Sequence, residues 1–220
     1  TIDLILKLHP KTEKIYVVID TTPSGNYRWG VVSPSFSRYP DIDFIRLSDE
    51  NTIGEIETIV NGLSEESAVI FFTLYRDKTG KYISVKEAAT RITGASARPV
   101  YTTHRLELAY GVVGGKVLGG FYHGEFTAGL ALRILKGEAV SNIPVVKKSP
   151  TRYVFNYEQL EKWNIALSAL PESRIILNRP VSLYKESKSL VWAVLVVMLS
   201  MGCIIFILQT NIIKRKRAEK

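Results

Sequence analysis

Three histidines and one cysteine are the residues of this chain whose types best suit catalysis or metal binding. His9, His104 and His123 show no H-x-x-x-H spacing, and Cys203 has no second cysteine with which to form a Cys/His set. The sequence also has no G-x-S-x-G turn for a nucleophilic serine and no phosphate-binding P-loop. It therefore predicts no catalytic residue, no metal site and no cofactor, and a chain without enzymatic activity.

Two other segments contain residue types that occur in hydrolase sites or in phosphate-binding loops. An enzymatic alternative is a hydrolase-like site formed by the Arg76 and Asp77 pair with His104. The sequence indicates neither an activating base nor an oxyanion hole for such a site. Segment 111–120, GVVGGKVLGG, is rich in glycine yet lacks the G-x-G-x-x-G pattern after a strand. We interpret its glycines as hinge or close-packing positions.

The elements that would position polar residues alternate between strand-like and helix-like segments. Apolar runs begin near residues 14, 43, 68 and 99, and segments 53–63, 84–94 and 124–136 have helical patterns. The strand starts recur about every 25 to 30 residues, which is the size of a βα unit. The sequence thus predicts an α/β fold with an open, mostly parallel, doubly wound sheet that has helices on both faces.

In such sheets ligands bind at the carboxyl ends of the strands. The residues at these positions are mostly hydroxyl-bearing, aromatic or charged. They are Thr21, Thr22, Ser24 and Gly25 after the first strand, Tyr75, Arg76 and Asp77 after the third, and Tyr101, Thr102 and Thr103 after the fourth. Aromatic rings supply apolar area and polar groups fix orientation, so this set suits a small polar or amphipathic molecule. Helix capping and turn formation are the alternative explanation for each Thr, Ser and Asp.

The end of the chain is apolar and then basic. Leu190 to Leu208 is almost wholly apolar and long enough to cross a bilayer as a helix. Lys214 to Arg217 follow directly, and an excess of Lys and Arg marks the cytoplasmic flank of a membrane-spanning helix. The sequence predicts a transmembrane helix over 189–213, a cytoplasmic basic stub over 214–220, and residues 1–188 outside the cytoplasm, with Trp192 near the outer interface.

The net charge and the cysteine content further restrict the class of protein to which this chain could belong. The formal net charge of the 220 residues is +8, but the last seven residues contain five Lys or Arg and one Glu. The remaining positive charge forms no basic stripe, so we expect no nucleic-acid partner. Because Cys203 lies in the apolar run, the outer segment has no disulfide and depends on its core, which is compatible with a bacterial periplasm.

Several motifs in the second half resemble the ABC-transporter substrate-binding-protein-like family with the type 1 periplasmic-binding fold. They are a strand ending in P-V-Y at Pro99 to Tyr101, a glycine crossover at Gly111 to Gly115, a helix with G-x-x-A-x-x-I-L-x-G-E at Gly129 to Glu138, the Ile143 to Pro144 element, and the final strand at Val154 to Asn156. The resemblance covers most of residues 1–165. Segment 170–188 is similar to the juxtamembrane part of bacterial histidine kinases and diguanylate cyclases that have such a domain outside the membrane.

The resemblance implies a domain of two lobes that binds a small molecule, amino acids included, between them. It implies that residues 1–165 contain the whole second lobe and only the returning part of the first lobe, so that the sequence is incomplete at its N-terminus. Residues 166–188 would be a juxtamembrane linker. The positions that match ligand-binding positions of the family, and that the resemblance therefore implies to bind the ligand, are Thr22, Tyr75, Asp77, Tyr101, Thr102 and Tyr122.

The function that this predicts is extracytoplasmic sensing of a small molecule by a single-pass protein of the bacterial inner membrane. Lobe closure would pass through the transmembrane helix to a cytoplasmic kinase or cyclase module, in a protein that works as a homodimer. The alternative is a membrane-tethered solute-binding protein of an ABC transporter. A spanning helix that leads into the cytoplasm suits the first function better than the second.

Overall fold

The computed structural model describes residues 1–147, 149–180 and 188–218, which form two compact units, Thr1–Arg179 and Pro180–Lys220. The first unit has seven strands: β1 (Lys14–Ile19), β2 (Asp43–Leu47), β3 (Ser67–Thr73), β4 (Val100–Thr102), β5 (Gly114–Leu118), β6 (Thr151–Asn156) and β7 (Arg174–Leu177). Its helices are α1 (Ile2–Leu8), α2 (Pro23–Val32), α3 (Ile53–Asn61), α4 (Val85–Ala95), α5 (Gly120–Leu135) and α6 (Tyr157–Lys162). Helix α7 (Lys188–Ala218) belongs to the second unit.

The seven strands form one sheet in the order β2-β1-β3-β4-β5-β6-β7. Neighbouring strands are parallel except β5 and β6, which pair antiparallel from Gly114 opposite Phe155 to Leu118 opposite Thr151. The predicted α/β fold with a mostly parallel sheet is therefore confirmed. The carboxyl ends of β1 to β5 lie at one edge of the sheet, which we call the carboxyl edge.

Hydrophobic clusters on both faces of the sheet explain why its central strands are apolar throughout. Side chains alternate along β1, so Val17 packs in the cluster with α1 while Val18 packs in the cluster with α3 and α4. All seven residues of β3 are buried, as expected for a parallel strand covered on both faces. Burial of this kind holds the strand ends, and the loops that follow them, in fixed positions.

Side-chain caps lie at the helix starts that the sequence predicted. Thr52 forms a capping box at the start of α3, because its hydroxyl accepts from Glu55 N–H and its own N–H donates to the Glu55 carboxylate. Ser84 caps α4, and Thr22 caps α2 by accepting from the Gly25 N–H. Each cap satisfies a backbone donor that would otherwise be unpaired at a helix start.

Two elements differ from the sequence-based prediction. Helix α5 begins at Gly120, four residues before the predicted start at Gly124, because Gly119 provides an extended N-cap and Tyr122 packs into the core. Strand β7 lies inside segment 166–188, for which the sequence indicated a linker, and it pairs in parallel with β6. With four residues and no buried side chain, β7 has too little apolar alternation to be recognised from sequence alone.

Helix α5 buries only one of its sixteen residues, Tyr122. Leu130 is half-buried, and five other large apolar side chains spread over four turns are exposed: Phe121, Phe126, Leu132, Ile134 and Leu135. A helix in a folded domain normally buries an apolar stripe against a neighbour. Most of the apolar face of α5 is therefore left uncovered by the residues of Thr1–Arg179 that the structure describes.

Helix α7 is long and apolar enough to cross a membrane. A candidate span extends over Lys188–Arg215, and its most apolar window has no buried residue. Trp192, near its start, is 58% exposed. The basic residues that follow continue the same helix.

Candidate functional site

The carboxyl edge is formed by the loops that follow β1, β3 and β4, and its centre is Asp20. This residue directly follows β1 and is fully buried. One carboxylate oxygen accepts from the backbone N–H of Thr22 at 3.2 Å and from its hydroxyl at 2.6 Å, and the other accepts from the Tyr75 N–H at 2.7 Å. Asp20 thereby fixes the loop after β1 to the end of β3.

Asp77 fixes a second part of this edge. Its carboxylate accepts from the backbone N–H of Ile53 at 3.1 Å, at the start of α3, and from the Thr79 N–H at 3.0 Å. The Thr79 hydroxyl also donates to it, and this bond is the first cause that lowers the pKa of Asp77. Since its oxygens already have three protein donors, Asp77 organises the loop after β3 in this structure.

Tyr101 points away from the edge and into the cluster under α1. Its side chain is fully buried, and its hydroxyl lies 2.7 Å from Nε2 of His9 at the end of α1. Burial raises the pKa of the Tyr101 phenol, so the ring stays neutral and its hydroxyl pairs inside the protein. Contact between Tyr101 and a ligand stays a prediction.

A buried acid lies after β4, beside the predicted residue Thr102. Glu107 is 4% exposed, and the Thr102 hydroxyl is 3.5 Å from its carboxylate. Burial raises the pKa of Glu107 to about 7, partly offset by the nearby charge of Arg28. Burial, and to a smaller extent the charge of the same arginine, lowers the pKa of His104 to about 4. At neutral pH this part of the edge contains a neutral imidazole and a partly protonated carboxyl group.

Tyr122 lies where α5 leaves the same edge. Two guanidinium groups lie near its ring, Arg105 at 6.0 Å and Arg152 at 5.9 Å from the ring centroid. The phenol ring also meets Phe121 edge-on. The ring therefore contributes cation–π packing at the point where the chain passes between β5 and α5.

The structure thus joins Thr22 and Tyr75 through Asp20 at the carboxyl edge. Thr102 is fully buried at the end of β4, where its hydroxyl lies near Glu107 and not near Asp20. Sequence reasoning missed Asp20 and Glu107 as members of this edge. The signal for Asp20 was present, because an Asp that ends an apolar strand before Thr-Thr can bond the backbone two residues later. Glu107 has no comparable signal, since its burial depends on packing between distant segments.

We expect Glu107→Gln to make the fold more stable at high pH. The folded chain holds this proton more tightly than the unfolded chain, whose Glu has a pKa near 4.5. The contribution of Glu107 to stability is therefore fully present below about pH 4.5 and is lost as the pH rises through about 7. The variant should match the wild type near pH 4.5 and exceed its free energy of unfolding by about 2 kcal/mol at pH 8, measured by urea unfolding.

The control for this experiment is Glu161→Gln, which removes an exposed carboxylate on α6. It should change the free energy of unfolding by less than about 0.5 kcal/mol at either pH. If the difference between Glu107→Gln and wild type is the same at pH 4.5 and pH 8, the raised pKa of Glu107 is wrong.

Comparison with known proteins supports the fold. No protein-family profile and no curated protein matches the sequence. Three solved structures are similar over about four fifths of this chain, and the chain spans about three fifths of the length of each.

The first is a ligand-free, open substrate-binding protein with adhesive properties from Clostridium difficile, with a TM-score of 0.58, 17% identity, and coverage of 81% of this chain and 59% of its own. The second is an ABC domain in complex with L-Trp from Streptococcus pneumoniae, with a TM-score of 0.55, 14% identity, and coverage of 80% and 59%. The third is a conserved domain protein from Vibrio cholerae, with a TM-score of 0.50, 19% identity, and coverage of 80% and 58%. The fold of this chain is therefore that of the substrate-binding proteins.

Proposed function

We propose that this chain is part of an extracytoplasmic sensing domain that binds a small molecule and signals through a membrane-spanning helix. The observation that carries the proposal is a substrate-binding-protein fold followed, in the same chain, by a helix long enough to cross a membrane. A soluble binding protein has no need of such a helix at its C-terminus. A sensor needs one to pass a conformational change to the cytoplasm.

The carboxyl edge supports ligand binding. Open parallel sheets bind ligands outside the carboxyl ends of their strands, where this chain has Thr22 and Tyr75 on a frame fixed by Asp20, and Thr102 at the end of β4. Polar groups set on rigid loops beside an aromatic ring suit a small amphipathic molecule. One solved structure with this fold binds L-Trp, so aromatic amino acids are the first ligand class to test.

The uncovered apolar face of α5 supports a second lobe. This helix follows β5 in the chain, and its exposed side chains include Phe126, Leu132 and Leu135. We infer that a further part of the protein covers this face, because contiguous apolar surface of this kind normally marks an interface. The ligand would then lie between the two lobes, and closure would be the signalling motion.

Helix α7 would carry the signal. The basic residues that follow its apolar part favour an orientation with the C-terminus in the cytoplasm and Thr1–Arg179 outside it. A dimer of two such helices, each leading to a kinase or cyclase module, could convert lobe closure into a change of helix packing. The chain itself would have no enzymatic activity. The competing function is a membrane tether for a transporter's binding protein, which shares the fold but needs no motion of α7.

The first test is a thermal-shift screen of the full-length protein in lipid nanodiscs against amino acids, purines and small sugars. A ligand at 100 times its Kd should add about 2.7 kcal/mol of stability and raise the melting temperature. Tyr75→Ala should abolish this shift, whereas Tyr157→Ala should not, because Tyr157 is equally half-buried but begins α6 at the opposite edge. If no compound class shifts the wild type, the small-molecule proposal is wrong.

A second measurement separates the sensor from the tether. Single cysteines placed along α7, in a Cys203→Ser background, report the distance between two copies of the helix by their rate of disulfide formation. In a sensor, the ligand found in the screen should change these rates at several positions. Rates that stay the same in the presence of bound ligand would favour the tether.

A further inference from the structure

A cavity of about 430 Å³ opens on the face of the sheet that packs against α1 and α2. Its floor consists of side chains in the middle of β1 and β3: Val17, Ile70 and Phe72. The volume lies in the range of small-molecule sites, and the lining is mostly apolar. It is therefore large enough for a ligand and suited to an apolar one.

The short length of α2 explains why this part of the sheet is uncovered. Helix α2 has ten residues and passes into a 3-10 turn (Ser33–Arg38) near Pro34, whose missing N–H cannot continue an α-helix. Phe36 of this turn stacks on Phe44 of β2 at 3.9 Å between ring centroids. The turn is thereby held toward the β2 edge, which leaves space over β1 and β3.

The cavity is polar at its end near the carboxyl edge, where Arg28, Thr103 and His104 line it. Arg28 makes no hydrogen bond or ion pair with any residue that the structure describes. His104 is neutral at pH 7, because its pKa is lowered to about 4 by burial and by Arg28. An unpaired guanidinium at the end of an apolar cavity is a binding group for an anion.

The acidic groups near the cavity leave this guanidinium available. Asp3, which also lines the cavity, accepts from the Tyr39 hydroxyl at 2.5 Å. Arg38 donates to the same hydroxyl at 3.1 Å. Glu107 lies close enough to Arg28 for its pKa to be affected, but no salt bridge joins the two, and burial keeps Glu107 partly protonated near pH 7. Charge at the Arg28 end is therefore net positive.

We propose that this cavity binds a small apolar carboxylate, with its hydrocarbon part against Val17, Ile70 and Phe72 and its carboxylate paired with Arg28. Such a molecule would also cover Val31, which is 62% exposed at the cavity rim. None of the six ligand-binding residues predicted from the sequence lines this cavity. The cavity therefore reaches the carboxyl edge through Thr103 and His104 but shares no residue with the six predicted contacts of the cleft.

The test is isothermal titration of the chain in nanodiscs of zwitterionic lipid with 3-phenylpropionate, after subtraction of the heat from empty nanodiscs. We expect saturable binding that Arg28→Gln weakens by at least about tenfold, since a charge-assisted pair contributes about that much. The neutral probe 3-phenylpropionamide should bind the wild type at least about tenfold more weakly, for the same reason. Val31→Asp should also prevent binding, because it puts a negative charge at the rim.

Two controls separate this site from the rest of the protein. Lys86→Gln removes the same charge as Arg28→Gln, but from an exposed position of α4 on the opposite face, and should leave the affinity unchanged. Tyr75→Ala should leave it unchanged too, which separates this site from the proposed cleft. The Val31 and Arg28 side chains are exposed or half-buried, so both variants should fold, as circular dichroism will check. Absence of saturable binding, equal binding of the amide, or full binding by Val31→Asp would each overturn the proposal.

Discussion

Replacing Gly114 with alanine is expected to destabilise the sheet by at least about 3 kcal/mol, a large part of the stability of an ordinary domain. Gly114 has φ of +135°, which side chains rarely allow, and an added Cβ would lie 2.2 Å from the Val154 carbonyl oxygen and 2.8 Å from Phe155 Cα. Both are backbone atoms of β6, and Gly114 pairs directly with Phe155. Relief of the clash would separate β5 from β6, so urea unfolding should show a loss of native circular dichroism at much lower denaturant.

Gly54→Ala is the matched control for this variant. Gly54 lies in the first turn of α3, and a Cβ added there meets no atom within 4 Å. Alanine is the better helix former, so this variant should be unchanged or more stable by up to about 1 kcal/mol. Equal stability of the two variants would mean that the close approach of β5 and β6 is not what requires glycine at position 114.

Features set by local sequence were the predictable part of this fold. The starts of β1 to β4 and the caps Thr52 and Ser84 depend on residues near in sequence. Alternation of apolar residues and capping chemistry are signals within one element. For the same reason the mostly parallel sheet could be predicted from the spacing of strands.

The candidate site was less predictable because it depends on which strands become neighbours and which way their side chains point. Tyr101 follows the strand-end pattern of a ligand-binding residue, yet the pleat turns it toward His9 under α1. Asp77 likewise has the position of a ligand-binding residue, and its carboxylate also accepts from the N–H of Ile53, the first residue of α3, which lies 24 positions earlier in the chain. Only the packed structure reveals such partners.

Asp20→Ala is expected to cost about 3 kcal/mol and to release the loop after β1. The fully buried carboxylate accepts two bonds from Thr22 and one from the Tyr75 N–H, and its removal leaves these half-buried donors without their acceptor. Asp20→Asn should also be destabilising although its shape is the same, because one of its two acceptor oxygens becomes an NH₂ group that faces a donor. Urea unfolding of both variants measures the loss.

Asp49→Ala is the control that shows how much of the cost of Asp20→Ala comes from the burial of the carboxylate. Asp49 also accepts from a backbone N–H and a hydroxyl, those of Thr21 at 2.7 Å each, but its bonds are exposed to solvent. Water can replace them, so the cost should be below about 1 kcal/mol. If Asp49→Ala and Asp20→Ala cost the same, desolvation at Asp20 does not hold the carboxyl edge together. A large difference would establish that the frame of the proposed ligand site rests on one buried carboxylate between β1 and β3.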